Sequence, residues 1–284
     1  MKFGVDLPNF GAFGSARTLM SLAQDAENAG WDGFFIWDHI NRAWLTEVVD
    51  PWIALTAIAT ATERLTIGAL VTPIARRRPW KLAREIVSLD HLSNGRLIFG
   101  AGLGSLGGHD VEWSKFGEET SLKTRAKMLD EGLDILKGLW SGEKFSYEGE
   151  FYRVMDTQFL PKPLGHIPIW VGGYWPNKPP FRRAARWDGV IPLARDGDPA
   201  TPDTIRDALA YTLEHRSSDR PFDVVHINPP IDPARGAAIV GPYQEAGVTW
   251  WLEEIIPKHF GGDWESDWPF DAMRERILQG PPAS

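Results

Sequence analysis

Eight short apolar runs, each followed by a segment of helical spacing, divide this chain from one end to the other. The runs are FGVDL (3–7), GFFIW (33–37), LTIGALV (65–71), RLIFGAG (96–102), IPIWVGG (167–173), DGVIPL (188–193), FDVVHIN (222–228) and VTWWLEE (248–254). Helical spacing fills 15–29, where Leu19, Leu22, Ala23 and Ala26 recur on one face and Gly30 ends it. A second helix, 51–62, opens on a proline, whose missing N–H costs nothing in a first turn. The same reading gives helices over 80–92, 122–140, 181–186, 202–215, 233–246 and 270–278. Near-continuous apolar strands joined by helical crossovers imply a parallel sheet covered by helices. Eight such units in 284 residues predict a single (β/α)8 TIM barrel over 1–284. An open doubly wound sheet would also alternate and is the main competitor. No GxGxxG turn opens the first βα unit, where a dinucleotide fold would want one, and GAGLG (100–104) follows the fourth strand instead. FSYEGEFYRV (145–154) alternates around Glu148-Gly149, which predicts a small hairpin insertion after the fourth helix.

The composition narrows the chemistry. No cysteine is present, which removes disulfides, thiolate nucleophiles, iron–sulfur clusters and Cys-ligated zinc. No His-Glu-x-x-His spacing or carboxylate–histidine cluster suggests another metal site. Net charge is −8, and the basic residues are scattered apart from Arg76, Arg77 and Arg78, so a nucleic-acid partner is not expected. The N-terminus reads as a strand and no apolar run reaches membrane-spanning length, so the expected location is cytoplasmic, away from the membrane. Fourteen tryptophans fit either an aromatic core or a pocket for a flat ligand.

Active sites of such barrels gather at the C-terminal ends of the strands, so the residues there form a list of candidates. Pro8 and Asn9 follow strand one, Asp38 and His39 strand two, Val71 and Thr72 strand three. Gly102, Gly104, Ser105 and His109 follow strand four, and Gly172, Gly173, Tyr174 and Trp175 strand five. Arg195 lies near the end of strand six, His226 and Asn228 near that of seven, Glu253 and Glu254 near that of eight. Asp38-His39 is the most telling pair, because a rim histidine can move protons near neutral pH and a carboxylate can orient it. Of Glu253 and Glu254 only one can face a pocket, since neighbours on a strand point opposite ways. His226 reads as a barrel-lining or core histidine. The glycines of 100–108 and 171–173 let the backbone approach a ligand and offer N–H groups to an anion.

Several segments together resemble the bacterial luciferase-like flavin-dependent oxidoreductases. GWDGFFIWDH (30–39) is similar to that family's second strand with its terminal acid and histidine. The block TIGALVTPIARRRPWKLAREIVSLDHLSNGRLIFGAGLG (66–104) resembles its most recognisable stretch, and PIWVGG (168–173) and AARWDGV (184–190) follow in order. The resemblance implies a (β/α)8 barrel that binds reduced flavin mononucleotide (FMN) or its deazaflavin relative, coenzyme F420. It further implies a non-prolyl cis peptide at Leu70–Val71 behind the ring, His39 as acid/base with Asp38 beside it, and phosphate held at Gly172 and Gly173. Gly102, Gly104, Tyr174 and Trp175 complete the expected cofactor contacts. Deazaflavin enzymes of this pattern often carry Glu directly after the Gly-x-Gly of strand four, where Ser105 stands here. That departure favours an FMN monooxygenase, fed by a separate flavin reductase and acting on a small apolar or aromatic substrate. The alternatives are an F420-dependent hydride-transfer enzyme and a non-catalytic flavin-binding barrel. Trp37, Trp44, Trp175, Trp250 and Trp251 are expected around a sheltered mouth, and paired apolar helices would make a homodimer.

Overall fold

Alternation along the strands decides which side chains fill the middle of this protein. The computed structural model describes residues 1–44, 46–104, 111–194 and 199–282. Its barrel strands are β1 (Lys2–Leu7), β2 (Gly33–Ile36), β3 (Thr66–Ala69) with its short continuation β4 (Thr72–Pro73), and β5 (Phe99–Gly102). After an antiparallel hairpin, β6 (Lys144–Glu148) and β7 (Arg153–Gln158), come β8 (Ile169–Tyr174), β9 (Gly189–Leu193), β10 (Asp223–Asn228) and β11 (Trp250–Glu254). The sheet runs β3-β2-β1-β11-β10-β9-β8-β5-β4, with every adjacent pair parallel. β3 and β4 stand at opposite ends of that order yet are one strand, so the sheet closes on itself. The Ile67–Leu97 bridge and the Thr72–Ala101 register complete the seam. The result is the expected TIM barrel, with the hairpin where the Glu148-Gly149 turn placed it.

Phe35, Trp170, Ile191, Val225, Trp250 and Leu252 form a buried cluster inside the barrel, separate from the larger core between sheet and helices. Phe35, Trp170 and Trp250 touch one another with centroids 5.3–5.7 Å apart and plug the axis. Burying each ring contributes roughly 1.5–3 kcal/mol, with about 0.5–1.5 more for each aromatic pair. The outer residues of the same strands, Val5, Phe34, Ile67 and Trp251 among them, pack under the helices.

Those helices are α1 (Ala16–Asn28), α2 (Pro51–Ala61), α3 (Pro79–Leu92), α4 (Val111–Ser114), α5 (Leu122–Trp140), α6 (Lys178–Ala184), α7 (Pro202–Glu214), α8 (Gly236–Glu245) and α9 (Phe270–Leu278). Asp50 caps α2 by accepting from the N–H groups of Trp52 and Ile53, with Pro51 in the first turn. Three elements depart from the sequence reading. The third strand breaks at Leu70–Val71, a cis peptide as the resemblance implied. α6 starts at Lys178 because Pro179 and Pro180 fit a first turn, so the preceding loop is shorter than its prolines suggest. The short α4 is new, and it carries the buried carboxylate of Glu112.

Candidate active site

A cavity of about 530 Å³ opens at the C-terminal ends of the barrel strands, within the range of cofactor and small-molecule sites. Leu70, Val71, Ile191, Leu193 and Ile227 supply apolar surface next to the plugged interior. Asp38, His39, Arg42, Glu112 and Tyr174 supply the polar groups of the wall.

His39 is fixed at both its backbone and its ring. Asn9, fully buried, donates from Nδ2 to the His39 carbonyl (2.8 Å) and accepts the His39 N–H at Oδ1 (3.1 Å). A second Nδ2 contact to the Val49 carbonyl (2.6 Å) ties the same loop to the segment that leads into α2. The ring meets a carboxylate that sequence reasoning missed: His39 Nδ1 lies 2.9 Å from Glu112 Oε2. Glu112 also accepts the N–H of Ile40 (2.5 Å) and Asn41 (3.1 Å) at Oε1, and pairs with Arg76 Nη1 at 3.1 Å. Burial raises the Glu112 carboxyl, but the bond to His39, the charges of His39 and Arg76, and the Ile40 N–H outweigh it and lower its pKa to about 2. An ionised carboxylate only accepts, so Nδ1 carries the imidazole proton and Nε2 keeps its lone pair for a ligand.

Asp38 has a different task from the one its position suggested. Its buried carboxylate accepts from Arg76 Nη2 (2.7 Å) and from Arg77 Nη2 (2.8 Å) rather than from the His39 ring. Successive extended residues project to opposite sides. Asp38 therefore pins the arginines that follow β4, and Glu112 orients the histidine. Below them, the buried Asp6 on β1 accepts Trp37 Nε1 at 2.9 Å. Burial pushes its carboxyl well above the usual carboxylate value, and the Glu254 charge adds to that.

The remaining wall suits a flat ring. Gly102 and Gly172 face Val71: a Cβ on Gly102 would run into Val71 Cγ2, and one on Gly172 would lie 3.4 Å from Val71 Cγ1. A Cβ on Gly173 would collide with Pro180, so the packing of β8 against α6 requires glycine there. Leu70, Val71, Gly102, Gly104, Gly172, Gly173 and Tyr174 all line the cavity.

Residues 1–225 match the profile of the luciferase-like monooxygenase family. The chain belongs to that family. An F420-dependent glucose-6-phosphate dehydrogenase of Intrasporangium calvum is 30% identical over 216 residues, 72% of this chain and 62% of the relative. An uncharacterised protein of Mycobacterium tuberculosis is 35% identical over 156 residues, 53% of this chain and 52% of its own length. The chain thus spans less than two thirds of these relatives. The F420-dependent tetrahydromethanopterin reductase of Methanopyrus kandleri superposes with a TM-score of 0.72 at 17% identity, covering 98% of this chain and 96% of that one. The monooxygenase RslO1 of Streptomyces bottropensis gives 0.71 at 20% identity, with the same coverage. These likenesses show the fold.

Within this luciferase-like barrel the other expected residues disperse. Trp175 lies outside the cavity lining, its ring 5.1 Å from Phe181 with Lys178 Nζ 3.6 Å above it. Of the tryptophans expected at the mouth, Trp37 lines the cavity and Trp44 packs behind His39 against Phe10 and Trp264. Trp250 plugs the interior and Trp251 faces the helices, as alternation requires. Glu253 is buried in an ion pair with Arg276 (2.7 Å), and Glu254 accepts from His259 (3.0 Å). His226 is a core residue stacked on Tyr243, centroids 4.3 Å apart. Ser105, His109, Arg195 and the loop 105–108 lie outside the described residues.

Proposed function

We propose that this protein is an F420-dependent oxidoreductase of the hydride-transfer type, with His39 as the group that moves the substrate proton. The observation that carries this reading is the His39–Glu112 pair. A hydride transfer to or from a carbon bearing oxygen needs one proton moved at that oxygen, and a histidine with a fixed tautomer does so near neutral pH. Glu112 replaces, from α4, the carboxylate that Ser105 had seemed to remove, so the departure that favoured FMN loses its weight. Relatives named as F420-dependent dehydrogenases point the same way.

The residues present fit a tricyclic ring: the glycine faces of β5 and β8 lie against Val71, above an apolar floor. Leu70, Val71 and Gly102 would hold the ring, and Gly172 and Gly173 would receive its phosphate-bearing tail. When bound, the deazaflavin supplies the two-electron hydride chemistry. The protein's own share is positional and acid–base. His39 Nε2 takes or gives the proton at the substrate oxygen, Glu112 holds the ring, and Asn9 fixes the loop that carries it.

Fluorescence titration of the purified protein with F420 and with FMN tests this reading. We expect F420 to bind at least about tenfold more tightly. His39→Ala should keep that binding and lose turnover by roughly 10²–10⁴. FMN binding without F420 binding would return the reading to the oxygen-dependent monooxygenase. Unchanged turnover in His39→Ala would remove the role given to His39, and no turnover in the wild type with its flavin bound would leave a non-catalytic flavin barrel.

A further inference from the structure

Arg42 lines the same cavity, three residues beyond His39. Its guanidinium is held between the rings of Phe10 and Trp44, 4.4 and 4.5 Å from their centroids. Nη1 lies 3.2 Å from His39 Nδ1 and 3.3 Å from Nε2. Near-equal distances to two ring nitrogens place it over the imidazole face, off both lone-pair axes. Its Nε is buried and has no partner among the described residues.

Among the described residues, the carboxylates around His39 are already engaged. Asp38 is taken by Arg76 and Arg77, Glu112 by His39 and Arg76, and Arg183 by Asp130 at 2.6 and 2.9 Å. Among the described residues, Arg42 is the one of the four guanidiniums Arg42, Arg76, Arg77 and Arg183 with no ion pair of its own; Glu112, already bonded to His39 and Arg76, is the charge that acts on it. An anion seated on Arg42 compensates its charge.

We propose that Arg42 anchors a negatively charged oxyanion, a carboxylate or phosphate, carried by the substrate close to its reacting oxygen. This deepens the functional reading, because it rests on His39 as the proton-moving group. A neutral analogue leaves Arg42 uncompensated over His39.

The test uses inorganic phosphate as the probe and needs no cofactor. Diethyl pyrocarbonate acylates the unprotonated imidazole nitrogen, and a phosphate on Arg42 covers His39 Nε2. At constant ionic strength, ~10 mM phosphate on a site with a dissociation constant of ~1 mM should slow His39 modification about tenfold, read by mass on its peptide. His259, bonded to Glu254 outside the cavity lining, should keep its rate. Arg42→Gln and Arg42→Met, each checked for native circular dichroism, should lose the protection. Absence of protection in the wild-type chain, equal protection of His259, or protection retained in either variant would overturn the proposal. Failure of F420 to bind would overturn the cofactor reading and leave this result standing.

Discussion

Replacing Glu112 by glutamine changes one oxygen to an amide nitrogen, and the surrounding donors dictate which way the amide must face. The Ile40 and Asn41 N–H groups both point at Oε1, so the amide oxygen is held there. The NH2 group is then forced towards His39 Nδ1 and Arg76 Nη1, both donors in the wild-type arrangement. Nδ1 has to become an acceptor, which moves the imidazole proton to Nε2 and removes the lone pair that a substrate proton needs. The energetic cost follows from the same contacts. The folded protein holds the Glu112 carboxyl at about 2 against its ordinary 4.5, and at about 1.4 kcal/mol per pH unit this corresponds to about 3 kcal/mol in favour of the ionised form. The side chain is only 4% exposed, so solvent screening takes little away. Because the folded value is depressed, this stability is present above the unfolded value and is lost as pH falls from about 4.5 towards 2. Glu112→Gln should therefore lose about 3 kcal/mol in urea unfolding at pH 7 and flatten the acid limb of the stability curve. Nitrogen-15 spectra of His39 should show the tautomer exchanged. A loss under about 1 kcal/mol together with an unchanged tautomer would refute the reasoning.

Other substitutions separate the parts of the site. Asp38→Asn leaves Arg76 and Arg77 buried without their carboxylate and should cost about 3–5 kcal/mol in urea unfolding while the His39 tautomer stays as in the wild type. Gly102→Ala drives a methyl into Val71 and should cost about 1–3 kcal/mol and weaken ring-cofactor binding, measured by fluorescence titration. His226, fully buried against Tyr243 and Trp251, has its pKa lowered by burial from 6.5 to about 4. Its contribution is complete above about 6.5 and falls away as pH drops towards 4, by up to about 3 kcal/mol, and His226→Phe should remove that part of the acid sensitivity in thermal melts at pH 4.5 and 7.

The barrel is legible in the sequence because its signals are local: apolar runs of strand length, amphipathic spacing, and prolines and glycines at the turns. The cavity glycines and the Leu70–Val71 break become legible through the resemblance of 66–104. The His39–Glu112 pair does not. His39 and Glu112 are 73 positions apart, and α4 spans only four residues, too few to carry a period. Adjacency in sequence suggested Asp38 as the partner, yet adjacent side chains diverge. Composition counted the tryptophans without their directions, so Trp250 and Trp251 were assigned to a mouth that alternation denies them. Arg276, the partner of Glu253, arrives from α9 through tertiary packing that no local pattern encodes.

The triad of rings at Phe35, Trp170 and Trp250 makes the barrel a cul-de-sac. Among the described residues, the open end is the one where Arg42 and His39 line the cavity. A ring seated on the floor beside Leu70 and Ile227 can stay through many turnovers only if the smaller molecule arrives after it and departs before it. One-ended access thus imposes a queue, last in and first out, on any two-ligand reaction at this site.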